Sequence, residues 1–216
     1  MSFKEGAVPL GMKNAIVTPI LKKSTLSCEE LGNFRPVSNL SYISKIAEKV
    51  ASIRIQHHMK QHDYHETYQS AYKQFHGTES ALLMVFNDIL MSLDKQECVL
   101  LILLDLSAAF DTIDHQVLLE RLQEVLGLNG KALAWIKSYL SERTQVVTTG
   151  KAFSEILCLL FGVPQGSVLG PLLFIIYTSP LGKILEKHGA RYHLYGDDTQ
   201  IYFNFDPKNV TGNCQS

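Results

Sequence analysis

Cys98-Val99-Leu100-Leu101-Ile102-Leu103-Leu104-Asp105 decides the fold. Seven apolar residues in a row are too few for a helix of ordinary length. They suit a strand buried on both faces, closed by a carboxylate where a carboxylate is costly. Working outward, Thr78–Leu93 and His115–Leu126 flank this strand with helical patterning, and Lys131–Leu140 follows a Gly127/Gly130 turn. Ala81, Leu82, Val85, Phe86 and Ile89 form the apolar stripe of the first of these helices. Upstream, Ser44 is placed to cap a helix running to about Gln61, with Ile46, Ala47, Val50, Ile53 and Met59 inward. Residues 1–40 read as loop-rich, with apolar pieces at Ala15–Leu21 and Phe34–Leu40.

Downstream, Thr144–Thr149 and Ile156–Phe161 read as a strand pair, Val168–Tyr177 as an interior helix, and Leu181–His188 as a short helix. Tyr192–Tyr195 and Thr199–Phe205 read as short strands joined by Gly196-Asp197-Asp198, which is hairpin chemistry. The sum is an α+β fold: a small sheet covered by helices.

Length and composition agree. The chain has 216 residues, 46% of them hydrophobic and 19% charged, which is globular rather than disordered. No apolar run reaches the ~18–20 residues of a membrane span, and no secretory leader is visible. The four cysteines, at 28, 98, 158 and 214, are too scattered for a metal cage or a disulfide framework. We read an intracellular, reduced protein without membrane partners. Asn209-Val210-Thr211 matches a glycosylation sequon and is discounted on the same ground.

The net charge of −1 conceals an asymmetry. Residues 1–60 carry nine Lys/Arg against four Asp/Glu; residues 61–216 carry eleven against seventeen. A basic quarter beside an acidic remainder suits a protein that handles a polyanion and divalent metals together.

Three carboxylates stand where ionised groups are expensive: Asp105 at the end of the apolar strand, and Asp197 and Asp198 in the hairpin between aromatic strands. Each has an ordinary explanation as an end or turn residue. As a set they suit hard divalent cations, above all Mg²⁺, which keeps waters and phosphate oxygens as its other ligands.

The local sequences around these residues resemble the ordered motifs of reverse transcriptases, closest to those of non-LTR (LINE-type) retrotransposons. Leu104-Asp105-Leu106-Ser107-Ala108-Ala109-Phe110-Asp111-Thr112-Ile113-Asp114-His115 resembles the first catalytic motif. Gly162-Val163-Pro164-Gln165-Gly166-Ser167-Val168-Leu169-Gly170-Pro171-Leu172-Leu173-Phe174 resembles the second, and Tyr195-Gly196-Asp197-Asp198 the third. Phe34-Arg35-Pro36-Val37-Ser38-Asn39-Leu40 is similar to the fingers motif, and Tyr68-Gln69-Ser70-Ala71-Tyr72-Lys73 with His76–Leu83 to the next.

The resemblance implies a right-hand polymerase: fingers over about 1–95 and palm over 96–216, with a helical insert at 115–140. On this resemblance the thumb is expected to be absent and the domain truncated. It implies an RNA-directed DNA polymerase using an RNA template, a DNA primer and deoxynucleoside triphosphates. Asp105 and Asp197 would bridge two Mg²⁺ ions, with Mn²⁺ a possible substitute; Asp198 would be the weaker ligand and Leu106 would offer a backbone carbonyl. Phe110 would exclude a 2′-hydroxyl, and the small Ala108 and Ala109 would leave backbone open to the triphosphate. Gln165 and Gly166 would meet the nascent base pair, and Arg35 and Lys73 the phosphates. Asp111 and Asp114 are expected to be structural, Asp114 as a helix cap.

Three departures from the family pattern are visible. Gly196 stands where Ala is common, which is expected to loosen the turn. Tyr72-Lys73 stands where Phe-Arg is common. The chain also stops soon after the hairpin, so an unpaired edge or an exposed apolar face is expected near Tyr202–Phe205, with weak primer–template binding and little or no extended synthesis. The rival readings are a fragment that binds nucleic acid without polymerising, an RNA-dependent RNA polymerase, which Phe110 argues against, and a plain structural domain. Oligomeric state is not legible.

Overall fold

The computed structural model describes residues 2–73, 75–106 and 108–209. Ser107 of the first catalytic motif, Val210 and Thr211 of the sequon, and Cys214 lie outside the described residues. The chain folds as two compact units, each discontinuous in sequence: residues 1–64 with 108–177, and residues 65–107 with 178–216.

The first unit holds strands β1 (Asn14–Leu21), β2 (Phe34–Asn39), β4 (Arg143–Thr149), β5 (Ala152–Phe153) and β6 (Leu157–Leu159). Their order is β2-β1-β4-β5, with β6 also paired to β4. β1 and β2 are antiparallel, whereas β1 and β4 are parallel, with Ile16 opposite Val146. The loop-rich reading of residues 1–40 is thus corrected: their two apolar pieces are paired strands. The expected strand pair at 144–161 holds, since β4 and β6 are antiparallel neighbours.

Helices α1 (Ser2–Glu5), α2 (Tyr42–Gln61), α4 (His115–Glu124), α5 (Gly130–Leu140) and α6 (Gly170–Thr178) complete this unit but for the last residue of α6. Its core joins Ile55 and Met59 of α2, Leu118 and Leu122 of α4, Trp135 and Tyr139 of α5, and Leu173 and Phe174 of α6. Asp114 does cap α4, accepting from the backbone N–H groups of Gln116 and Val117. α2 departs from expectation twice. Its cap is Ser41, whose side chain accepts from the Ser44 N–H, and the helix is rotated so that Ile46 and Ile53 are exposed. The inward face carries Ser44, Glu48, Ala51, Ser52, Ile55 and Met59.

The second unit is a three-stranded antiparallel sheet, β3-β8-β7, of Cys98–Asp105, Asp198–Phe205 and Arg191–Tyr195. α3 (Thr78–Asp94) packs on β3 and β7, and α7 (Pro180–Lys187) packs on β7. The fold therefore has two sheets where one was expected. β8 is the central strand and Tyr202 is buried, so of the two alternatives expected at Tyr202–Phe205 the unpaired edge is not there, while exposed apolar surface is, at Phe205 and on Leu100 and Leu101 of the paired β3. The outer edge of β7 is extended by a parallel bridge from Gln69 to Leu194.

β3 is the edge strand, and it corrects the opening expectation. Apolar throughout, it is nevertheless largely exposed, with Leu103 at 68% and Leu100 at 52%. An edge strand has a neighbour on one side only, and α3 leaves much of it open. On α3 itself Ala81 and Val85 are buried, while Leu82 and Phe86 of the expected stripe face outward. Cys28, Cys98 and Cys158 are all free and exposed. Among the described residues no helix is long and apolar enough to cross a membrane.

Candidate functional site

The second unit gathers the three carboxylates. In the β3–β8 pair the register partner of Asp105 is Asp198, whose partner on β7 is Tyr195. Register partners in an antiparallel pair project to the same face with Cβ atoms about 4.5–5.5 Å apart. Asp197 sits in the two-residue turn between β7 and β8, directly before Asp198.

That turn explains Gly196. Its φ is +66°, the left-handed region that suits the first residue of a type II′ hairpin. The glycine therefore fits the turn rather than loosening it, contrary to the expectation from sequence. The space is not the constraint, because an added Cβ would meet its nearest neighbour, Ala71 Cβ, at 3.8 Å.

Gln69 holds the turn from beneath. Its buried side-chain Oε1 accepts from the N–H groups of Gly196 at 3.2 Å and Ala71 at 2.8 Å. The motif block containing it was visible in the sequence, but nothing marked this glutamine as the support of the hairpin. Tyr72 lies close enough to Asp197 for the carboxylate to help raise its phenol pKa, after burial as the larger cause.

The electrostatics show how crowded the site is. Partial burial, then the charges of Asp197 and Asp105, hold the Asp198 carboxyl above its ordinary value. These are hard oxygen donors carrying like charge, which a divalent cation would neutralise, so the donor set fits such an ion. Among the described residues no three His, Cys, Asp or Glu side chains form a ready cage. The fit is to a cation that brings waters and substrate oxygens with it. Leu106 follows Asp105, half-exposed, in the loop after β3. Lys73 is committed locally: its Nζ donates to the Glu66 carbonyl at 2.7 Å, and burial lowers its pKa.

The first unit holds the other residues singled out. Phe110 is half-buried, its ring 5.3 Å from that of Phe174 on α6. Ala109 is buried and Ala108 exposed, the latter at φ +54°. This tight turn is tied to the second motif: Val163 N–H donates to the Phe110 carbonyl and Gly162 N–H to that of Ile113, both at 2.8 Å. The approach is so close that a Cβ on Gly162 would stand 2.7 Å from the Phe110 oxygen.

Gln165 lines a cavity of about 220 Å³ with Pro36, Ser38, Asp111, Gln145 and Val163. Burial raises the Asp111 carboxyl. Gly166 lies against Val37 and Ser38. Arg35 is exposed on β2, opposite Ile20.

Comparison with known proteins bears on the family and the fold. Residues 20–215 match the family described as reverse transcriptase (RNA-dependent DNA polymerase). The chain is 30% identical over 177 residues to a probable RNA-directed DNA polymerase from transposon BS of Drosophila melanogaster, covering 80% of this chain and 19% of that protein. It is 34% identical over 149 residues to the corresponding protein of the X-element from the same organism, covering 69% and 16%. It thus spans about a fifth of the length of these relatives. Among solved structures, Candida albicans telomerase in complex with a telomeric RNA fragment aligns with a TM-score of 0.66 at 14% identity, over 93% of this chain and 39% of that one. Apo telomerase from Candida tropicalis, without its C-terminal domain, gives 0.61 at 15% identity, over 95% and 46%. These two likenesses concern the fold. With its ordered motifs and the match over 20–215, the chain belongs to the reverse transcriptase family, as a domain of the non-LTR retrotransposon type.

Proposed function

We propose that this chain is the polymerase core of a non-LTR retrotransposon, copying an RNA template into DNA by adding deoxynucleotides to a DNA primer 3′-hydroxyl. The observation that carries the reading is the pairing of Asp105 with Asp198 across β3 and β8, with Asp197 in the adjoining turn. Residues 1–95 are assigned to fingers and 96–216 to palm with the helical segment 115–140, following the family.

Asp105 and Asp197, with Asp198 as the weaker ligand and the Leu106 carbonyl, would hold two Mg²⁺ ions, for which Mn²⁺ could substitute. When bound, such ions activate the attacking hydroxyl and neutralise charge on the phosphates. The chain's own part is to hold these carboxylates close together, which the register and the Gln69-supported turn favour; the crowding raises the Asp198 carboxyl, and a bound cation would offset it. Phe110, whose ring lies against that of Phe174, would exclude a 2′-hydroxyl, as the family resemblance implies. The exposed Ala108 would leave the neighbouring backbone open to the triphosphate, whereas Ala109 is buried and does not meet that expectation. Gln165 and Gly166, seated on β2, would meet the nascent base pair. Arg35 is exposed and able to contact triphosphate; Lys73 would first have to leave the Glu66 carbonyl.

The test is primer extension on an RNA template with deoxynucleotides or ribonucleotides and Mg²⁺. Addition of one or a few deoxynucleotides and no ribonucleotides, without extended synthesis, and abolished by Asp105→Asn and by Asp197→Asn, is the expected result. Template binding without extension would favour the non-polymerising reading, and extension indifferent to both substitutions would defeat the assignment.

A further inference from the structure

The loop Gln165–Leu169 is held at both ends by one short stretch of chain. At its start, Ser38 N–H on β2 donates to the Gln165 carbonyl at 2.8 Å. At its end, Glu48 Oε2 on α2 accepts from Val168 N–H at 2.7 Å and Leu169 N–H at 3.2 Å. The other oxygen, Oε1, accepts from Ser44 Oγ at 3.2 Å.

Glu48 is 1% exposed. A carboxylate in such a place is costly unless hydrogen bonds and opposite charge compensate it. Its three donors supply the first. The second is close by. Arg143, also 1% exposed, donates from Nη1 to the Tyr139 carbonyl at 2.9 Å and lies over the Tyr139 ring. The buried Tyr139 phenol is pushed up by burial and by the Glu48 charge, and pulled down by Arg143, so it lies within the field of both.

An apolar side chain at 48 would fill the core as well but leave the Val168 and Leu169 amides without this acceptor. A carboxylate there does something an apolar residue cannot: it fixes two backbone amides just ahead of α6, where negative charge is also favoured by the helix dipole.

We infer that Glu48 is a positioning residue for template reading, fixing the far end of the loop that presents Gln165 and Gly166. This rests on the polymerase reading and deepens it. With Glu48 in place, the loop is pinned at Gln165 and at Val168–Leu169, and only Gly166 and Ser167 lie between the two fastenings.

Amide hydrogen exchange on the 216-residue chain tests the clamp, comparing wild type, Glu48→Gln, Glu48→Ala and Leu122→Ala. Leu122, on α4, is fully buried in the same core and makes none of the loop's hydrogen bonds described above. Glu48→Ala should accelerate exchange over 165–170 about tenfold or more, as expected for lost charge-assisted hydrogen bonds, with α4 and α5 unchanged. Glu48→Gln keeps an acceptor for both amides and should stay near wild type. Leu122→Ala should accelerate exchange across the whole unit. In single-nucleotide insertion on an RNA template, Glu48→Ala should raise KM for the correct deoxynucleotide about tenfold with kcat within about threefold. Unchanged exchange at 165–170, a uniform rise matching Leu122→Ala, or a loosened loop with wild-type KM would each overturn the inference. If wild type inserts no nucleotide, the polymerase reading fails, and the clamp stands or falls on the exchange data.

Discussion

Asp105 and Asp198 are register partners on adjacent antiparallel strands, although 93 positions apart in the chain. Like charges directly opposite one another are destabilising by about 0.2–1 kcal/mol. Asp198→Asn should therefore leave thermal stability unchanged or raise it slightly in EDTA, while weakening Mg²⁺-dependent incorporation about 10²-fold or more. Melting curves with and without Mg²⁺, beside primer extension, check both halves. A fall in stability without metal would mean that the pair is not repulsive.

The Gly196 turn gives a second expectation. A Cβ at φ +66° costs about 1–2 kcal/mol, while the neighbouring space accepts it. Gly196→Ala should lower Tm by a few degrees. Gln69→Leu removes the acceptor beneath the same turn, stranding the buried Ala71 amide and the part-buried Gly196 amide, and should cost about 1–3 kcal/mol. Thermal unfolding measures both, and equal stability in all three proteins would contradict the turn geometry.

Phe110 combines two roles that one substitution separates. Phe110→Ala removes a half-buried ring from its contact with Phe174, at a cost of about 2 kcal/mol, below that of a fully buried ring. It should also let ribonucleotides compete. Phe110→Tyr keeps most of the ring packing and should retain sugar discrimination. Paired melting and incorporation ratios decide; unchanged discrimination in Phe110→Ala would reduce the ring to packing alone.

His193 predicts a pH dependence. Its ring is buried on β7 with neither nitrogen hydrogen-bonded among the described residues, and its pKa is lowered by burial and by the charges of His76 and Lys73, against an opposing pull from Asp88. The unfolded state then binds a proton more readily than the folded one, so stability rises with pH through this window. It is lost as pH falls below about 6.5 toward the depressed value. Melting from pH 7.5 to 5 should show this slope, and His193→Phe should flatten it.

The chemistry-bearing elements were the most legible. The strand ending at Asp105, the hairpin carrying Asp197 and Asp198, and the helices at 78–94 and 130–140 all follow from local pattern and turn chemistry. Two things did not. The inward face of α2 was misread because periodicity assumes that apolar residues point inward, whereas Glu48 is buried for its hydrogen bonds and Ile46 and Ile53 are left outside. The β1–β4 pairing was hidden because it joins strands about 130 positions apart, which no local window spans. β3 shows a further limit: its apolarity is plain in the sequence, but its place at the edge of the sheet is a property of topology.

That topology has a consequence during synthesis. β3 is complete at residue 105, yet β8, its only strand partner among the described residues, ends at Phe205. At ordinary elongation rates of about 5–20 residues per second, the leucine-rich β3 waits roughly 5–20 s on the ribosome before it can pair. Throughout that interval it is a nascent β-segment of the kind that holdase chaperones shield and that neighbouring nascent chains can capture. Polysome crowding and chaperone supply, as much as the sequence of the finished domain, should set the soluble yield.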